Sequence, residues 1–339
     1  MAKLEELKPP SSNSDSSSSA ELIENCFGYL KLYSDGTIFR SAEIKHKSTI
    51  QENPSVIWND FLFDPLHNLN LRIYKPKKDP KSPNHKQLPI LFYFHAGGFC
   101  FGERFYPNPH NSSLSLCSGL QSVVISPDYR LAPESRLPAA IEDGFTAIKW
   151  LRDSDFQTLT WLSDVEIDFD RVFVFGDSSG GNIAHHLAVR LGRGSPELKP
   201  IRVRGYILLS PFFGGVLRTK REEEKPYENF WSQEIYDQLS IPHGANVDHP
   251  LVNPFGASSP SIEGLRLDPF LVMVGGDEVM RDRVEDYAMK MKASNHQVQY
   301  VEFEGKQHGF FTSYSYLEES KNLIQLVKDF ISKNSSSII

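Results

Sequence analysis

Residues 172–183 read Val-Phe-Val-Phe-Gly-Asp-Ser-Ser-Gly-Gly-Asn-Ile, a strand, a turn and a helix start in twelve residues. Val172 to Phe175 is a short, uninterrupted apolar run, which suits a strand buried on both faces of a parallel sheet. Beyond it, Ile183, Ala184, Leu187 and Leu191 fall on one face of a helix. Between them lies Gly176-Asp177-Ser178-Ser179-Gly180, a G-x-S-x-G pattern. Strand, sharp turn and helix in that order lift a serine hydroxyl out of a strained bend, where a side chain at either glycine would crowd the turn. The following helix aims its positive N-terminal end at the place where an oxyanion develops. Ser178 is therefore the candidate nucleophile.

Outward from this stretch the rhythm repeats. Ile90 to Phe94, Val123 to Ile125, Tyr206 to Leu209 and Phe270 to Val274 are further apolar runs. Ile141, Phe145, Ile148 and Leu151 form a helical face, as do Leu323, Leu326, Val327, Phe330 and Ile331. Strands alternating with helices predict an α/β fold with a mostly parallel central sheet flanked by helices. Val56 to Tyr74 mixes polar and apolar positions and reads as antiparallel edge strands. Two regions break the rhythm, 20–55 and 211–268. The second carries Phe212, Phe213, Tyr227, Phe230, Trp231 and Tyr236, and a long insertion between core strands suits a cap over a pocket, which 20–55 and 211–268 are expected to build together. Pro9 to Ser19 is Ser-rich and predicts a disordered lead-in spanning 1–19, with 20–339 as a single domain.

Bulk properties exclude several functions. A net charge of -7 argues against a nucleic-acid partner, which would select a basic face. No stretch approaches about 18 continuous apolar residues, so no membrane span is expected. The three scattered cysteines, Cys26, Cys100 and Cys117, offer neither a disulfide framework nor metal-ligand spacing. With no apolar signal segment at Met1 to Pro10, a cytosolic location is expected.

The rest of a hydrolytic site must gather at the carboxyl ends of the strands. His95-Ala96-Gly97-Gly98 follows the run Ile90 to Phe94, and its glycines let backbone N–H groups approach an oxygen. The amides of Gly97, Gly98 and Ser179 are the candidate oxyanion hole. Of 11 histidines, His308 alone follows a strand, Val298 to Phe303, at the correct end and after Ser178. His185 and His186 sit inside the helix after the serine, His243 and His249 in the insertion, and His296 before the strand. For the orienting acid, Asp277 stands nearest the end of the run Phe270 to Val274, with Glu278 and Asp282 as competitors. Asp282, between Arg281 and Arg283, suits a structural ion pair instead.

His95-Ala-Gly-Gly-Phe, Asp128-Tyr-Arg-Leu-Ala-Pro-Glu134, Gly176-Asp-Ser-Ser-Gly-Gly-Asn182 and the Asp277…His308 tail together resemble the hormone-sensitive-lipase-like family of α/β-hydrolases, and among them the plant carboxylesterases. The resemblance runs from about Phe27 to Phe330. Phe169 to Gly215 further resembles the subgroup that includes strigolactone-degrading carboxylesterases. One departure is Ala96, where the family pattern is usually His-Gly-Gly-Gly. Relatives on this scaffold include gibberellin receptors, which lack the base histidine, and hydroxyisoflavanone dehydratases, which usually carry threonine at the nucleophile position. Ser178 and His308 are both present here, so the resemblance implies ester hydrolysis through an acyl-enzyme, with a small hydrophobic ester as substrate and no metal or organic cofactor.

Overall fold

The computed structural model describes residues 20–26, 28–42, 44, 46, 48–77, 87–153, 160–224, 239–313 and 318–335. The expected lead-in at 1–19 and the aromatic residues Tyr227, Phe230, Trp231 and Tyr236 of the insertion lie outside the described residues. Two compact units divide the chain, one ending at Ile44 and the other running from Lys45 to Ile339. The first holds a small antiparallel sheet of β1 (Leu22–Cys26), β2 (Leu30–Tyr33) and β3 (Ile38–Arg40), paired in that order.

In the second unit the apolar runs become strands of one eight-stranded sheet. They are β4 (Val56–Asp64), β5 (Leu69–Pro76), β6 (Leu88–Phe94), β7 (Val123–Pro127), β8 (Ile167–Asp177), β9 (Val203–Leu209), β10 (Phe270–Gly275) and β11 (Val298–Phe303). Their order across the sheet is β11-β10-β9-β8-β6-β7-β5-β4. β4 and β5 run antiparallel at one edge, as their mixed polarity predicts, and the remaining pairs from β7 to β11 are parallel.

Burial explains the uninterrupted apolar sequence. Val172 and Val174 of β8 pack toward Ile183 and Leu187, while Phe173 and Phe175 face the opposite side with Leu323 and Phe330. Each large side chain so buried contributes about 1.5–3 kcal/mol. One layer is α2 (Ala139–Arg152) and α3 (Ser179–Leu191); the other includes α1 (Pro107–Leu120) and α7 (Glu318–Asn334). Two further helices are α4 (Lys220–Glu224), inside the insertion, and α5 (Arg281–Ala293), against β10 and β11, and α6 spans Phe310–Ser313. Among the described residues no helix is long and apolar enough to cross a membrane.

The topology fixes where chemistry can occur. From β6 the chain moves to β7 on one side and then returns to β8 on the other. The carboxyl ends of β6 and β8 therefore diverge at a switch point, where α/β sheets hold their ligands. His95 to Gly98 leaves the first of these ends and Ser178 the second.

Candidate active site

Ser178 sits between β8 and α3 at φ 54° and ψ −115°, a left-handed conformation that a non-glycine residue adopts only under surrounding constraint. Its N–H donates to the carbonyl of Leu209 at 2.9 Å, and its own carbonyl accepts from the N–H of Phe212 at 2.9 Å. The bend is thus fastened to the end of β9. Glycine is required on either side of the serine by contact: a Cβ on Gly176 would lie 1.9 Å from the carbonyl oxygen of Gly180, and one on Gly180 would lie 2.1 Å from that of Phe94. The second approach brings the start of α3 against the end of β6, next to the His95 loop.

That loop explains the alanine departure. Gly97 and Gly98 adopt φ of 141° and 59°, the region that favours glycine, whereas Ala96 takes no positive φ. Alanine is accommodated where it stands, and the two amides expected to receive an oxyanion remain on glycine. Tyr129, from the Asp128-Tyr-Arg segment, donates its hydroxyl to the carbonyl of His95 at 2.9 Å and lies 3.4 Å from Ser179 Oγ. The Tyr129 and His95 rings stack at 4.3 Å. One tyrosine thereby ties the His95 loop to the start of α3, a link no local motif announced.

His308 occupies the loop between β11 and α6, the end of the sheet expected of a base. The carboxylate against it is that of Glu278: His308 Nδ1 lies 3.3 Å from Glu278 Oε2. Asp277, the residue favoured on sequence, is exposed and gives its N–H to the carbonyl of Lys306 at 2.9 Å. The residue nearest the strand end is exposed, whereas the next one is wholly buried, with a side-chain exposure of 0%. The usable signal was the competing carboxylate one position on, with a longer arm. Asp282 is engaged as expected in ionic contacts, its carboxylate 3.5 Å from Arg221 Nε and 3.3 Å from Arg281 Nη1. His185 and His186 are structural: the first lies 2.9 Å from the Tyr287 hydroxyl and the second 2.9 Å from the Leu251 carbonyl. Burial drives both below the usual imidazole range, so neither carries charge at neutral pH.

The electrostatics around His308 favour its cation. Desolvation opposes charging the ring, but the hydrogen bond and charge of Glu278, with the charge of Asp177, hold its pKa above the ordinary value. Asp177 is itself buried, with neither carboxylate oxygen hydrogen-bonded among the described residues. Burial pushes it up to about 7, against the opposing effect of His308 and with Glu278 adding to the rise. An acid whose folded-state pKa is raised favours the folded state most at low pH and loses that advantage as pH climbs from about 4 through about 7. Asp177→Asn, never charged, escapes this loss. It is expected to raise the melting temperature by several degrees at pH 8, on the order of 3 kcal/mol, and hardly at all at pH 4. Thermal unfolding at both pH values checks this; a lower melting temperature for the variant at pH 8 would contradict it.

Among the described residues one group, Asp64, His67 and Asp143, brings donor atoms within 4.8 Å of one another. Arg130 already occupies it, 2.7 Å from Asp143 and 3.3 Å from His67 Nε2.

Residues 91–312 match the family described as alpha/beta hydrolase fold. Probable carboxylesterase 6 of Arabidopsis thaliana is 36% identical over 239 residues, covering 69% of each chain. The 2-hydroxyisoflavanone dehydratase of Glycyrrhiza echinata is 30% identical over 333 residues, 94% of this chain and 99% of that protein. Among solved structures, EstE1, a thermostable carboxylesterase from a metagenomic library, is similar with a TM-score of 0.68 and 26% identity, covering 85% of this chain and 92% of its own.

Proposed function

The chain belongs to the alpha/beta hydrolase fold family, alongside the plant carboxylesterases, and is a serine carboxylester hydrolase; from that premise we propose that it cleaves small hydrophobic carboxylic esters through Ser178, His308 and Glu278. The observation that carries the assignment is the pairing of His308 Nδ1 with the buried Glu278 carboxylate at the sheet end that bears the Ser178 bend. Ser178 Oγ attacks the ester carbonyl while His308 takes its proton through Nε2, the nitrogen left to it when Nδ1–H faces Glu278. Glu278 replaces Asp277 in this reading as the group that fixes the tautomer and balances the imidazolium. The amides of Gly97, Gly98 and Ser179 receive the negative oxygen of the tetrahedral intermediate. The alcohol leaves with the proton held by His308, and water then releases the acid from the acyl-enzyme through the same base.

The presence of serine, rather than threonine, at position 178 favours hydrolysis over the elimination performed by the dehydratase relative. Acylated specialised metabolites are the proposed substrate class, with strigolactones as members to be tested. Three buried cysteines without disulfide bonds support a reducing compartment, and a cytosolic location is part of the same proposal.

The experiment is an ester panel with product analysis by mass spectrometry, using p-nitrophenyl acetate, acetylated metabolites and a strigolactone. Hydrolysis to acid and alcohol, unaffected by EDTA, is expected. Binding without turnover, or products formed only by loss of water, would contradict it.

A further inference from the structure

We propose that Ser210 is a positioning residue for the triad acid, its hydroxyl holding the Glu278 carboxylate with Oε2 turned toward His308. The proposal rests on reading Glu278 as that acid.

Glutamate at this place has a mechanical problem. It carries one more rotatable bond than aspartate, so its carboxylate needs a restraint if it is to hold one orientation. The structure supplies one. Ser210 Oγ donates to Glu278 Oε2 at 2.8 Å, and that same oxygen stands 3.3 Å from His308 Nδ1. The other oxygen, Oε1, is buried without a hydrogen-bond partner among the described residues, so Ser210 is the neutral donor recorded on this carboxylate. A hydroxyl suits the task, because it donates to the carboxylate without bringing a cation that would compete with the imidazolium.

The backbone shows how firmly the hydroxyl is placed. Ser210 follows β9 directly and adopts φ 44°, a left-handed conformation that strains a non-glycine residue. Its N–H donates to the carbonyl of Met273 on the acid-bearing strand β10 at 2.7 Å. The preceding residue, Leu209, accepts from the N–H of Ser178. One short turn therefore fastens the nucleophile's bend on one side and the acid's strand on the other. Glycine would meet the backbone requirement without strain, yet the residue present is one with a donor.

Steady-state kinetics on p-nitrophenyl acetate for Ser210→Ala, Ser210→Gly, Glu278→Ala and the Ser210→Ala/Glu278→Ala double variant test this. Both single Ser210 variants should lose about tenfold in kcat with KM unchanged, the factor expected of a hydrogen bond to a charged group. The glycine variant, at ease with the positive φ, separates loss of the hydroxyl from backbone strain. In the Glu278→Ala background, removing the Ser210 hydroxyl should have no further effect, because its action passes through the missing carboxylate. An impaired Glu278→Ala beside an unimpaired Ser210→Ala, or losses that multiply in the double variant, would overturn the proposal alone. Wild-type kcat in Glu278→Ala would overturn the reading of the acid, and the proposal with it.

Discussion

Ser178→Ala is expected to lower kcat for p-nitrophenyl acetate by about 10,000-fold or more while leaving the melting temperature within a few degrees of wild type. The size follows from the chemistry: without the hydroxyl no acyl-enzyme forms, and only the oxyanion site and substrate binding remain to assist water. The stability follows from the backbone. Ser178 is held at φ 54° by hydrogen bonds from its own N–H and to its own carbonyl, both of which alanine keeps. Loss of activity without loss of fold is what a chemical role predicts. A variant that retained a substantial fraction of wild-type turnover would remove the serine from the mechanism.

The second large effect separates two adjacent carboxylates. Glu278→Gln should lower kcat by about 1,000-fold or more, because an amide donor facing Nδ1 stabilises the wrong tautomer of His308. Asp277→Asn should stay within about twofold of wild type, since Asp277 is exposed and the carboxylate recorded against His308 is that of its neighbour. The pH dependence carries its own sign. Hydrolysis needs neutral His308, so kcat/KM falls as pH drops through its pKa. Glu278 raises that pKa through its hydrogen bond and its charge. In Glu278→Gln the acid limb of the residual activity should move to lower pH, and in Asp277→Asn it should stay in place. Kinetics from pH 5 to pH 9 on both variants give the answer, and the reverse pattern would restore Asp277.

What could be read from the letters depended on how much each segment buries. The parallel strands were legible because burial on both faces leaves apolar residues at consecutive positions, as in Val172 to Phe175 and Phe270 to Val274. The helix α1 was not, because it buries His110, Asn111, Ser112 and Ser113 along with its apolar residues, which erases the periodicity. The helix α5 keeps only Val284, Tyr287, Ala288 and Met291 inside a strongly charged sequence. The strands β1 to β3 are three to five residues long, too short for any pattern to stand out. For the site, motif and strand context singled out Ser178, the His95 loop and His308. For the acid, closeness to the strand end favoured Asp277, whereas the carboxylate that lies against His308 is that of the next residue, Glu278, because distance along a turn does not fix which side chain is buried. Ser210 and Tyr129 act across strands, and contacts of that kind have no local signature.

In the proposed mechanism Ser178 is the residue made nucleophilic by this arrangement. Treating the protein with a fluorophosphonate and mapping the adduct by peptide mass spectrometry tests it most directly. One phosphonyl group per chain, on the peptide bearing Ser178 and in step with loss of esterase activity, is the predicted result. Esterase activity that survives the reagent, or an adduct on a different residue that accounts for the inactivation, would contradict it.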